Sequence, residues 1–199
     1  MVQSESPIYR ILVWAAIGTA IVVVAATVHN YAFTEDVPGE LNYRRGNLRL
    51  EDGKYDEALV EFNLVLEQSP THAGGYLGRG LTLMGLGDSA LALESINRAI
   101  DLKPSFAAAY ANRGIIYDKL GQPEKALIDY RKALELDKEL GEGPDWFTRF
   151  FRNQAEAPPT IKDRAAYLEI ELKKPPSQRL LKIPELDEKQ RPYKVEGKP

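Results

Sequence analysis

The sequence contains no cysteine and only two histidines, His29 and His72, among 199 residues. Disulfides, thiolate metal sites, iron–sulfur clusters and cysteine nucleophiles are thereby excluded. Little material is left for a metal site or a histidine-dependent catalytic centre. Basic charge is not in excess either: 26 Lys and Arg against 29 Asp and Glu leave a net charge of −3. No global attraction to phosphate backbones follows, so no nucleic-acid partner is expected. A P-loop, an H-E-x-x-H pair, a G-x-S-x-G elbow and an N-x-[ST] sequon are all missing. Residues 85–90, GLGDSA, match a G-x-G-x-x-A string. They lie in a helical-hairpin turn and follow no strand, so they do not mark a dinucleotide site. The sequence therefore predicts no catalytic residue, no cofactor and no metal, and the chain is not read as an enzyme.

What is present divides sharply. Hydrophobic residues are 44% and charged residues 28%, a globular balance, but residues 11–34 carry no charge at all. A helix over 11–33 would be about 34 Å long, enough for a bilayer core of about 30 Å. Tyr9 and Trp14 near one end, and Tyr31 and Phe33 near the other, suit interfacial aromatic belts. A cleaved signal peptide is the rival reading, with a passable small-residue site at Val23-Val24-Ala25. The apolar run exceeds the usual 7–15 residues of such signals, which favours an uncleaved, single-pass anchor in the lipid bilayer. Gly18 alone forms no GxxxG motif, so dimerisation through this helix has no sequence support. Arg10 on one flank and Glu35-Asp36 on the other favour an N-in orientation, against Arg44, Arg45 and Arg49 farther along. The expectation is a bacterial inner-membrane protein whose larger part faces the periplasm.

Beyond the anchor the chain repeats itself every 34 residues. Ala58, Ala92 and Ala126 are in register, as are Gly46, Gly80 and Gly114, and Gly53, Gly87 and Gly121. Phe62, Ile96 and Tyr130 form one apolar column, and Val65, Ala99 and Ala133 another. Pro70 and Pro104 follow the second helix of their repeats, with Lys138 in the third. This period and these columns resemble the tetratricopeptide repeat. The first copy departs most: Asn42 and Arg49 stand where Tyr76 and Tyr110, and Leu83 and Tyr117, supply the expected large residues of helix A. A degenerate terminal copy is common in solenoids. The predicted fold is all-α: a short segment 1–10, an anchor 11–33, a linker 34–38, and three helical hairpins over 39–138. A capping helix over 141–155 follows, then a Pro-rich charged tail 156–199 with a short helix at 160–174.

The resemblance implies a concave face built from the first helix of each hairpin, binding a peptide or helix of another protein. Carried onto this sequence, that face takes Tyr43, Arg44 and Asn47 from the first repeat, and Leu77, Gly78, Leu81 and Met84 from the second. The third supplies Ala111, Asn112, Ile115, Asp118 and Lys119. Of the carboxylate clamp known in the family, only Asn47 matches. The second clamp asparagine falls at Gly78 and the basic pair at Ala108 and Asn112, so the charge needed to hold a C-terminal carboxylate is missing. Gly78 and Gly85 cost helix stability with no evident return. The expectation is an occupant lying close against the backbone there, either a partner or the chain's own 160–174 helix, with Gly78→Leu abolishing binding while sparing the fold. A second docking surface is expected at Trp146, Phe147, Phe150 and Phe151, an aromatic stripe that otherwise closes the solenoid. The function expected is a membrane-anchored scaffold, an accessory subunit or assembly factor of a membrane protein complex. A constitutive structural subunit and a free-standing periplasmic adaptor or chaperone are the alternatives.

Overall fold

The structure, a computed structural model, describes residues 7–33, 38–143 and 159–182, with side chains of the first stretch from 8 to 27. The chain divides into two units, 1–37 and 38–199. Helices are the only regular elements among the described residues.

In the first unit, helix α1 runs Pro7–Phe33. Over Ile8–Thr27 it is long and apolar enough to cross a membrane. Ile11, Leu12, Trp14, Ile21 and Val22 all stand exposed. An α-helix that is apolar on every side suits a buried core or a bilayer, not water. The hydroxyls of Thr19 and Thr27 donate to carbonyls one turn back, of Ala15, Ala16 and Val23, so neither adds an unpaired donor to the apolar surface.

The second unit is built from three helical hairpins: α2 (Glu40–Glu51) with α3 (Tyr55–Gln68), α4 (Ala73–Gly85) with α5 (Ser89–Leu102), and α6 (Ala107–Lys119) with α7 (Pro123–Leu136). The turn inside each hairpin has one chemistry. Gly53, Gly87 and Gly121 adopt φ of 72°, 88° and 70°, a left-handed conformation that glycine adopts without penalty. The next residue then donates back to the helix: Lys54 N–H to Arg49, Asp88 to Leu83, Gln122 to Tyr117. Where the hairpins begin their second helix, Asp88 caps α5 through the Leu91 N–H at 3.0 Å, and Pro123 opens α7, where no N–H is needed.

The repeat columns are the core. Ala58, Ala92 and Ala126 are fully buried, and so are Phe62, Ile96 and Tyr130, and Val65, Ala99 and Ala133. Gly46, Gly80 and Gly114 accept the large side chain of the following helix directly on their backbone. A Cβ there would lie 2.9 Å from Phe62, 2.6 Å from Ile96 and 2.7 Å from Tyr130.

The solenoid is finished by α8 (Ile161–Glu171). Thr160 and Asp163 make a reciprocal capping box at its start: the Asp163 carboxylate accepts the Thr160 N–H at 2.9 Å and the Thr160 hydroxyl accepts the Asp163 N–H at 3.3 Å. Ile161, Ala165 and Leu168 join Ala111, Ile115, Ala126, Leu127, Tyr130 and Ala133 in one cluster. One repeat earlier, the equivalents Leu77 and Leu81 share a cluster with Ala108, Ala109 and Ile116 of α6. Thus α8 gives the third repeat the cover that α6 gives the second. The expected capping helix at 141–155 lies, from 144 on, outside the described residues; Lys138–Gly141 is a 3-10 turn.

The segment after α8 folds back over it rather than trailing away. Glu171, itself buried, accepts the Leu180 N–H at 2.8 Å and a bond from Lys174. Both bonds hold its carboxyl below the ordinary range. Arg179 donates to the carbonyls of Leu172 and Lys174.

Truncating Leu168 to Ala should cost about 2–5 kcal/mol, because the side chain is fully buried. A fall of roughly 5–15 °C in the thermal midpoint, followed by circular dichroism, is the expected outcome. An unchanged midpoint would show that α8 is not part of the core.

Candidate interaction surface

The first helices of the hairpins, α2, α4 and α6, carry the residues assigned to the concave face, and the structure divides them into open and buried sets. Arg44 and Lys119 are exposed, and Tyr43, Asn47 and Met84 are half-buried. Arg44 Nε donates to Glu40 Oε1 at 2.8 Å, one turn away. Tyr43 packs edge-on against Phe62, with ring centroids 6.1 Å apart, and tilts over His72 at 4.8 Å. Burial raises its phenol pKa, and a hydrogen bond with Asn47 opposes that shift. His72 also caps α4, its Nδ1 accepting the Gly75 N–H at 2.8 Å.

The remaining assigned residues do not line an open groove. Leu77, Gly78, Leu81, Ala111, Asn112, Ile115 and Asp118 are buried. The cause is geometric. Leu77 and Leu81, with Ala111 and Ile115 after them, sit on the face that packs toward the next helix layer, so α6 and α8 consume it. Asn112 turns inward, its Nδ2 donating to the Ala108 carbonyl at 2.8 Å.

The two unexplained glycines also have internal reasons. A Cβ on Gly78 would lie 2.2 Å from the Phe62 ring, and one on Gly85 2.4 Å from the Tyr55 ring. Helix α3 presses both aromatics onto the backbone of α4. The expected occupant against Gly78 is therefore a side chain of the preceding repeat, and the helix-propensity cost is offset by inter-repeat packing. Gly74 is small for a related reason: its Cβ would meet the Tyr43 hydroxyl at 3.0 Å. The aromatic stripe Trp146, Phe147, Phe150 and Phe151 lies outside the described residues.

Asp118 has a partner that sequence reasoning missed. Arg164 of α8 grips it with two bonds, Nε to Oδ2 at 2.6 Å and a terminal nitrogen to Oδ1 at 2.8 Å. Both side chains are 7% exposed. The Tyr130 hydroxyl lies 3.4 Å from the same carboxylate, and Arg164 also donates to the Leu181 carbonyl at 2.7 Å. One buried pair thus joins α6, α8 and the returning segment. A signal for it existed: Arg164 lies on the same helical stripe as Ile161, Ala165 and Leu168, where only a paired charge is tolerated. A second fork, Arg113 to Asp129 at 2.7 and 2.8 Å, joins α6 to α7, and Arg113 reaches Asn97 of α5 at 2.8 Å. Its hydrogen bond to Asp129 raises the guanidinium pKa further.

Two models of the tetratricopeptide repeat match the chain, over residues 73–106 and 107–140. Residues 73–140 are two tetratricopeptide repeats. The matches do not extend to α2 and α3, yet that hairpin buries Ala58, Phe62 and Val65 in the same columns. The solved Yersinia enterocolitica type III secretion chaperone SycD, in complex with a peptide of the translocator YopD, shares the fold. The TM-score is 0.54 at 16% identity, over 67% of this chain and 94% of that one. The first repeat domain of Spaghetti (RPAP3), bound to an HSP90 peptide, is 26% identical over 59% of this chain and 90% of its own, with a TM-score of 0.49. MamA of Desulfovibrio magneticus RS-1 is 24% identical over 49% of this chain and 55% of its own, with a TM-score of 0.47. No curated protein matches the chain. Tetratricopeptide repeats indicate a protein–protein interaction scaffold, and proteins built from them are generally not enzymes.

Gly78→Leu should overpack α3 against α4 and destabilise the domain by about 3 kcal/mol, the upper end for overpacked cores. Urea unfolding reads this directly; a fold left near wild type would restore the open-groove reading of that glycine. Arg164→Met should cost about 3–5 kcal/mol by stranding the buried Asp118, and adding Asp118→Leu should recover most of it. The same titration separates the three variants.

Proposed function

We propose that the chain is a membrane-anchored scaffold that holds a peptide or helix of another protein, as an accessory subunit or assembly factor of a membrane protein complex. The observation that carries this reading is α1, whose apolar side chains face outward on every side over Ile8–Thr27, on the same chain as an interaction domain. Anchoring confines the search for a membrane partner to the plane of the bilayer and raises its effective concentration. Arg10 before the apolar run favours the N-terminus inside, which puts the repeats on the periplasmic side of a bacterial inner membrane. Recognition falls to the open part of the helix-A face, Tyr43, Asn47, Met84 and Lys119. Sequence alone adds the aromatic stripe at Trp146, Phe147, Phe150 and Phe151 as a second docking surface.

The native chain has no cysteine, so single engineered thiols report topology cleanly. The protein should stay in the membrane pellet after carbonate washing. A membrane-impermeant maleimide should label Lys119→Cys in intact spheroplasts and Ser4→Cys only after permeabilisation. Release by carbonate would remove the anchor; the reverse labelling pattern would invert the orientation.

A further inference from the structure

The outer face of α2 breaks the pattern of the repeats. In α4 the column at Gly75 and Thr82 is buried, and in α6 so is the column at Ala109 and Ile116. A Cβ on Gly75 would lie 2.8 Å from Val65 of the preceding helix, so this column faces backward along the solenoid. In α2 the equivalent residues are Leu41 and Leu48. They are larger than Gly75 and Ala109, and they are 60% and 62% exposed. Arg44, paired with Glu40 at 2.8 Å, and Arg45, both exposed, lie between them on the same face at helical spacing. The result is a stripe of leucine, two arginines and leucine at the open end of the domain.

Connectivity restricts what can cover it. Helix α1 ends at Phe33 and α2 begins at Glu40. Fully extended, the intervening chain spans about 25 Å at most. If α1 crosses a bilayer, α2 is tethered within that distance of the surface. Exposed leucines flanked by arginines are the composition that settles into a headgroup layer, with apolar side chains dipping in and guanidiniums on phosphates. Pairing the stripe with a second copy about a two-fold axis would instead desolvate two Arg44–Glu40 pairs and bring two Arg45 side chains into one apolar interface, an unfavourable burial of charge.

We propose that the outer face of α2 rests on an anionic bilayer surface, with Arg44 and Arg45 on lipid phosphates and Leu41 and Leu48 in the interfacial layer. This inference rests on the membrane-anchor reading above. It assigns the first repeat a second task, contact with lipid.

The test uses the full-length protein with single spin labels, reconstituted in phosphatidylcholine vesicles with and without a quarter phosphatidylglycerol. Labels are placed at Val22→Cys in α1, at Asp52→Cys one turn beyond Leu48 on the same stripe, and at Ile128→Cys on exposed α7. Accessibility to a water-soluble nickel reagent is the readout. The expected result is shielding at 22 in both vesicles and shielding at 52, relative to 128, only where phosphatidylglycerol is present. Each arginine changed to Ala should weaken this docking about fivefold. A label at 52 as open as that at 128, with 22 shielded, overturns the inference and leaves the anchor standing. A label open at 22 overturns the anchor, and this inference with it. Shielding at 52 in both vesicles, with spin–spin broadening between copies, assigns the face to a second copy of the chain and overturns the lipid contact; shielding without broadening assigns it to another part of this chain, with the same consequence.

Discussion

Each hairpin closes because the backbone of its first helix meets a large side chain of its second with nothing in between. Gly46 receives Phe62, Gly80 receives Ile96 and Gly114 receives Tyr130, and any Cβ would intrude to 2.9 Å or less. The same device joins the first repeat to the second, where Gly78 and Gly85 receive Phe62 and Tyr55. Phe62 therefore touches glycine on two helices at once. This close approach sets the helix spacing, and with it which residues of helix A remain for a partner. Glycine costs roughly 0.8–1 kcal/mol in a helix interior relative to alanine. Dispersion contacts over a whole ring against bare backbone outweigh that cost.

A solenoid built this way leaves an unsatisfied surface at each end, since every repeat covers its neighbour. The two ends of this one differ. At the C-terminal end, α8 supplies Ile161, Ala165 and Leu168 as a substitute for the next helix A, and Arg164 locks them in place through Asp118. A buried ion pair adds little net stability against an apolar replacement, but removing one partner strands the other charge in the core. At the other end the surface stays open among the described residues, with Leu41 and Leu48 to the outside. That asymmetry gives the domain one end covered by α8 and one end that carries exposed leucines. The proposed scaffold role and the proposed lipid contact both use it.

The proposed recognition face is consequently narrower than a three-repeat concave face would suggest. The assigned residues that stay at least half open are spread over all three first helices: Tyr43 and Asn47, Met84, and Lys119. Tyr43 is held against His72 and Phe62, so it offers a fixed edge rather than a mobile ring. A partner would be read by a few well-placed polar contacts and not by a deep apolar trough.

Much of this was written in the order of residues alone. The period of 34, the buried alanine columns and the glycine turns are local and repeated, so three copies report the same backbone requirement three times. The apolar span of α1 is likewise a property of composition. The helix starting at Thr160 was legible from its capping residues and its apolar spacing, because capping is satisfied within one turn. What the order of residues did not decide was where each face points. Leu77, Leu81, Ala111 and Ile115 look alike whether they line a groove or meet the next layer, since periodicity gives the stripe and not its neighbour. Gly78 reads in the sequence as room for a ligand, whereas in the fold Phe62 fills that room. Asp118 and Arg164 are 46 positions apart, and only the tertiary fold brings them to 2.6 Å, because a contact between distant segments depends on packing that no local pattern encodes.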